Sequence, residues 1–185
     1  VQWTQPRLII GTDELDTLRA EDKAFDRWML SNVVEHKMSG YAIVNLTLKA
    51  SGRVPGDITA SAMDAVADLA DKYSLGEIRV SHRQNLVFVD VKQADLHALW
   101  QGLDAWELAT PNLGKLTDMI TCPGLDYCNL ANARSIPVAR DINKHFVDVD
   151  RVAVIGDFTV NISGCMNACG HHHVGNVGIL GVDKR

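Results

Sequence analysis

Residues 40–49, Gly40-Tyr41-Ala42-Ile43-Val44-Asn45-Leu46-Thr47-Leu48-Lys49, carry an alternating pattern. Ala42, Val44, Leu46 and Leu48 share one side, while Asn45, Thr47 and Lys49 take the other. That is the period of a strand with one buried face. Residues 51–57 (Ser-Gly-Arg-Val-Pro-Gly-Asp) form a loop by composition. Thr59 can cap a following helix through its hydroxyl. Met63, Val66, Leu69, Ala70 and Tyr73 then make an apolar stripe at helical spacing, which Gly76 ends. Strands are predicted over 77–81 and 86–91. A short helix is predicted over 94–103, with Leu96, Leu99 and Trp100 inward. The order β-α-β-β-α is most of a ferredoxin-like α+β unit. A unit of that kind does not by itself specify a function.

Outward from this unit the signals are weaker. Residues 1–12 show no clear pattern. A helical period over 13–34 brings Leu15, Leu18, Phe25, Trp28 and Met29 near one face, an amphipathic arm expected to pack on a surface either within this chain or in a part of the protein beyond it. Past Pro111 a helix is predicted over 126–146, bent at Pro137. Strands are predicted over 151–155, 158–162 and 174–182, with Phe158, Val160 and Ile162 alternating with polar neighbours. Trp28, Trp100 and Trp106 are assigned to packing. The start at Val1 and the end at Arg185, directly after a strand-like run, read as those of a piece of a longer protein.

Composition narrows the classes. The 185 residues are 46% hydrophobic and 22% charged, near the globular average and away from disorder. A net charge of −5 gives no general reason to bind nucleic acid. No apolar run approaches the ~20 residues of a membrane span. No export signal opens the chain, so a cytoplasmic location is expected.

The four cysteines are Cys122, Cys128, Cys165 and Cys169, in two pairs spaced C-x5-C and C-x3-C. Two disulfides would suit a small secreted chain, but this chain is long enough to hold a core without them. A four-thiolate metal site explains the pairing better, because a metal stabilises thiolates that would otherwise stay protonated. Structural zinc suits the second spacing and finds the first one wide. An iron–sulfur cluster tolerates unequal spacings, since its ligands bind different irons. Spacing favours the cluster and leaves both open.

The surrounding residues add a resemblance. Thr121-Cys122-Pro123-Gly124-Leu125-Asp126-Tyr127-Cys128 and Ser163-Gly164-Cys165-Met166-Asn167-Ala168-Cys169-Gly170 resemble the cysteine motifs of siroheme-dependent sulfite and nitrite reductases. The likeness extends over about residues 40–106. It implies an α+β fold: a ferredoxin-like half-domain followed by the start of an α/β siroheme- and [4Fe–4S]-binding domain. The chain divides accordingly into a helical arm or linker (1–39), the half-domain (40–110) and a truncated cofactor-binding domain (111–185). Cys122, Cys128, Cys165 and Cys169 would each bind a cluster iron, and Cys169 would also bridge to the siroheme iron. Gly164 and Gly170 would let backbone approach a bulky cofactor.

The resemblance also implies an activity, the six-electron reduction of sulfite to sulfide, with nitrite reduction to ammonia as the close alternative. Electrons would come from a flavoprotein or a ferredoxin. The remaining half of the same chain would supply the basic residues that bind the anion, so no catalytic residue is named. The isolated piece is expected to be inactive and able to fold without siroheme or cluster. A structural zinc or iron–sulfur module without chemistry is the alternative from another class.

Polar candidates lie in two places. Arg79-Val80-Ser81-His82-Arg83-Gln84-Asn85-Leu86 resembles the family's R-x-T-x-x-Q-N-L turn, with Ser81 where Thr is usual. Arg79, Arg83, Gln84 and Asn85 could pair with siroheme carboxylates. Internal pseudosymmetry in the family means that this turn could instead line a vacant equivalent site, or be a solvated hairpin end. Asn167 is a further cofactor-contact candidate. Consecutive side chains point apart, so His171, His172 and His173 are not expected to converge on one metal. One of them would instead support the cofactor from behind its ligands.

Overall fold

The computed structural model describes residues 13–183. Two short helices, α1 (Asp13–Glu21) and α2 (Lys23–Asn32), lead into β1 (Val33–Glu35) and β2 (Tyr41–Leu46). Then follow α3 (Ala60–Tyr73), β3 (Ile78–Val80), β4 (Leu86–Lys92) and α4 (Leu96–Asp104). The last part holds β5 (Ile120–Thr121), α5 (Ser135–His145), α6 (Val149–Ile155), β6 (Val160–Ser163) and β7 (Val177–Leu180). Among the described residues no helix is long and apolar enough to cross a membrane.

The first sheet is antiparallel, in the order β1-β2-β4-β3. Strand β2 buries Ala42, Val44 and Leu46, as its alternation requires. Thr59 caps α3 by accepting from the Ala62 N–H. Helix α3 turns Ala62, Val66 and Ala70 inward; Met63, assigned to that stripe from sequence, is 52% exposed. Leu96, Leu99 and Leu103 of α4 complete the core.

The N-terminal arm differs from expectation. The helical period over 13–34 is broken at Asp22, whose N–H closes α1 on Leu18 O. Its carboxylate accepts from the Ala24 and Phe25 N–H groups and starts α2 afresh. The arm packs within this chain: Phe25 and Trp28 are fully buried, and Phe25 lies 4.9 Å from the His97 ring and 5.5 Å from Trp100. Trp106, assigned to packing, is 42% exposed.

The second sheet is parallel, in the order β5-β6-β7. Its core joins Leu116, Met119, Ala139, Val160 and Ile162. Every residue of β6 is buried, polar Asn161 and Ser163 included, so the expected alternation gives way to a central strand covered on both faces. Residues 151–155 are helical rather than extended, because the Asp148 carboxylate caps α6 at Asp150 N and Arg151 N. The helix expected over 126–146 begins only at Ser135. Pro137 lies in its first turn, where no intrahelical N–H bond is needed, and causes no bend.

Phe25→Ala should cost about 3–5 kcal/mol, since it empties a fully enclosed aromatic site. Urea unfolding followed by circular dichroism measures this; a loss under about 1 kcal/mol would mean that the arm is not part of the core.

Candidate metal centre

Strands β5 and β6 run parallel as neighbours, with Thr121 opposite Ile162. Their C-terminal ends therefore emerge side by side. Cys122 leaves β5 there, and Gly164-Cys165 leaves β6. Ligands of parallel sheets collect at such carboxyl ends. The Cys122 N–H donates to Ile162 O (3.0 Å), extending the ladder one step. The Gly164 N–H then donates to Cys122 Sγ (2.9 Å), with Ser135 Oγ 3.4 Å from the same sulfur. Two cysteine segments 43 positions apart in sequence thus meet at one sulfur.

Backbone contacts hold each segment. The Cys128 N–H donates to Gly124 O (2.9 Å), closing a tight turn after Cys122. Asn132 and Ala133 both donate to Gly164 O, at 2.8 and 3.0 Å, and lay the first cysteine loop on the second. The Gly170 N–H donates to Ser163 Oγ (3.1 Å), folding the second pair back onto β6. Glycine is required at two points. A Cβ at Gly164 would stand 2.9 Å from Ala133 O and from Gly124 Cα, and one at Gly170 would stand 2.0 Å from Ile162 O. Here the close approach expected of these glycines is between chain and chain.

All four cysteines are free thiols: Cys122 and Cys165 are buried, Cys128 is half-buried and Cys169 is exposed. Tyr127 (80%), Leu130 (73%) and Met166 (86%) stand open around them. Asn167 is exposed beside Cys169. His171 and His173 are exposed; His172 is half-buried, with Nδ1 enclosed and unpartnered. Among the described residues no three His, Cys, Asp or Glu side chains gather as they would around a single ion.

The turn over 81–85 reaches this centre from the first sheet. Gln84 Nε2 donates to Thr121 O (2.9 Å), and Gln84 Oε1 accepts from Thr121 N (3.1 Å). Asn85 is buried: its amide donates to Asp118 Oδ1 (2.9 Å) and its carbonyl accepts from Leu48 N (3.2 Å) and Lys49 Nζ (3.0 Å). Arg83 Nε stands 3.5 Å from Asp118 Oδ2, and its Nη2 is enclosed without a hydrogen-bond partner among the described residues. Arg79 is exposed and pairs with Glu77. The turn, Pro55–Asp57 and Pro123–Tyr127 border a cavity of about 370 Å³.

Sequence reasoning did not find Lys49 and Asp118. Both side chains are fully enclosed, 2.8 Å apart. Lys49 also donates to Asn85 Oδ1 and to Arg83 O, so its three N–H groups have three acceptors. Asp118 Oδ2 accepts from the Gly114 N–H (2.9 Å). Burial holds the Lys49 pKa below its ordinary 10.5, opposed by the adjacent Asp118 carboxylate. A lysine on the polar side of a strand reads as solvated, and no local pattern marks it otherwise.

Comparison with known proteins follows this geometry. Residues 47–106 match the nitrite/sulfite reductase ferredoxin-like half domain. The chain is 32% identical over 167 residues to the chloroplastic ferredoxin–nitrite reductase of Zea mays, covering 86% of this chain and 27% of that protein. It is 28% identical over 156 residues to the ferredoxin sulfite reductase of Mycobacterium tuberculosis (strain H37Rv), covering 80% of this chain and 28% of that one. The solved structure of Mycobacterium tuberculosis NirA superposes with a TM-score of 0.59 at 30% identity, over 76% of this chain and 25% of NirA. The chain thus spans little more than a quarter of the length of these relatives.

Asp118→Ala should cost about 3–5 kcal/mol by leaving the Lys49 ammonium buried without its counter-charge. Because Lys49 holds its proton less tightly when folded than unfolded, stability should rise with pH between the lowered pKa and 10.5. Removing Asp118 should widen that window. Denaturant unfolding across alkaline pH measures both effects; a variant with native stability and no steeper rise would disprove the role given to the pair.

Proposed function

The chain belongs to the siroheme sulfite and nitrite reductase family, and from that membership we propose that it forms the cluster-bearing part of an assimilatory sulfite reductase. The reaction would be the six-electron reduction of sulfite to sulfide. The observation that carries this reading is the parallel pairing of β5 with β6, which sets Cys122 against Gly164-Cys165.

The donor set suits a [4Fe–4S] cluster. Its four thiols come from two loops at one sheet end, and a cage is gripped at separate irons rather than at one point. Cys122, Cys128, Cys165 and Cys169 would hold it. Cys169, the exposed member, would also meet the siroheme. When bound, the two groups would supply single-electron transfer to the anion.

The chain's own residues prepare that site. The Gly164 N–H donates a hydrogen bond to Cys122 Sγ and fixes the place of that sulfur beside the second cysteine segment. Burial of Cys122 and Cys165 limits water around them, while the half-buried Cys128 and the exposed Cys169 stay accessible to a bound group. Arg79 and Arg83 remain proposed partners for siroheme carboxylates and Asn167 a proposed cofactor contact; Arg83 Nη2, without a hydrogen-bond partner among the described residues, favours Arg83. No residue here is assigned to protonate the anion; that task falls to basic residues elsewhere in the protein. Ferredoxin or a flavoprotein would donate electrons.

Nitrite reduction on the same scaffold is the second reading, since relatives named for each anion share this region. A zinc or iron–sulfur module without chemistry is the third.

Anaerobic absorption of the purified full-length protein, with iron, sulfide and zinc analysis, should give equal iron and acid-labile sulfide together with siroheme bands. Cys165→Ser should abolish the cluster contribution. Zinc in place of iron, or a cluster without siroheme, would refute the proposal. Steady-state turnover with each anion tests the substrate, and preferential use of nitrite would reverse the choice of sulfite.

A further inference from the structure

Among the described residues, strand β5 borders β6 on one side and no strand on the other. Gln84 occupies that free edge. Its carboxamide donates to Thr121 O and accepts from Thr121 N, so one side chain serves both polar groups of a strand residue, as a neighbouring strand would. Thr121 is itself buried and is followed directly by Cys122, whose sulfur receives the Gly164 N–H.

The backbone of Gln84 gives a second observation. Its φ is +60°, in the left-handed region that residues other than Gly, Asn and Asp seldom occupy. The turn imposes this angle: Gln84 N donates to Ser81 O (3.1 Å), and Ser81 Oγ accepts from Arg83 N and Asn85 N (both 3.3 Å). Gly56 passes alongside; a Cβ there would stand 3.2 Å from Gln84 Cβ. A strained position held by its surroundings points to a task for the side chain it carries.

We propose that Gln84 is a positioning residue that pins the backbone at Thr121 and so holds the Cys122 sulfur in place for its cluster. The pinning stands on geometry alone; its purpose rests on the cluster reading given above. This use spends the Gln84 carboxamide on protein backbone, where the sequence suggested a siroheme carboxylate.

Two variants separate length from chemistry. Gln84→Asn keeps the amide and suits the positive φ but is one methylene short. Gln84→Glu keeps the length and loses the N–H donor. Amide hydrogen exchange on the cofactor-free protein should be about tenfold faster at Thr121 and Cys122 in Gln84→Asn, the loss expected for one or two hydrogen bonds; Gln84→Glu still offers Thr121 N an acceptor but sets a carboxylate against Thr121 O, so exchange there should rise less, with β4 unchanged in both as the check on folding. After reconstitution with iron and sulfide, both variants should lose iron to a chelator several-fold faster and alter the electron paramagnetic resonance signal of the reduced cluster. Native exchange at Thr121 in the folded variants overturns the pinning. Faster exchange with unaltered iron loss and signal overturns its role in holding Cys122. A wild-type protein that takes up no iron overturns the cluster reading and this use of the pin together, while exchange still judges the pin itself.

Discussion

An ammonium and a carboxylate, both shut away from water, join the two sheets of this protein. Removing each from water costs several kcal/mol, and their attraction offsets that only if the remaining donors and acceptors are also met. They are met here. Lys49 at the end of the β2 segment reaches Asp118, Asn85 and Arg83 O, and Asp118 gathers Asn85 and the Gly114 N–H as well. Asn112 adds a second bridge, accepting from Thr47 Oγ1 and donating to Lys49 O and Thr117 Oγ1. The antiparallel unit and the cysteine-bearing part therefore share one polar core, directional where an apolar contact would let them slide.

That core lies just before the first cysteine in sequence. Asp118 is followed by Met119, Ile120 and Thr121, and then by Cys122. The antiparallel unit grips this segment at Asp118 and again at Thr121, through Asn85 and Gln84 of a single turn. Beyond it, the cysteine loops are aligned by parallel strand ends and by glycines that let backbones touch. Tyr127, Leu130 and Met166, neighbours of the cysteines in sequence, are left exposed.

Much of the antiparallel unit was readable in its residues. Its strand alternates, its helix has a hydroxyl cap, and local rules of period and capping apply because one face meets a core and the other meets water or a polar neighbour. The parallel part was read less well for the same reason. Strand β6 is covered on both faces, so its polar Asn161 and Ser163 carry no information about direction. The apolar stretch over 151–155 suits strand and helix alike, and the Asp148 cap that decides it lies outside the run. In the arm, Asp22 ends one helix and starts the next, a double role that the apolar period conceals.

The residues by themselves determined the identity and spacing of the thiols, the β-α-β-β-α order and the family likeness, because those depend on composition and on contacts near in sequence. Tertiary structure alone decided that Lys49 is a buried cation, that Gln84 faces Thr121, and that Gly164 lends its N–H to Cys122 Sγ. Each of these joins positions more than thirty residues apart, and chain connectivity carries no record of which distant polar group will be the partner once water is excluded.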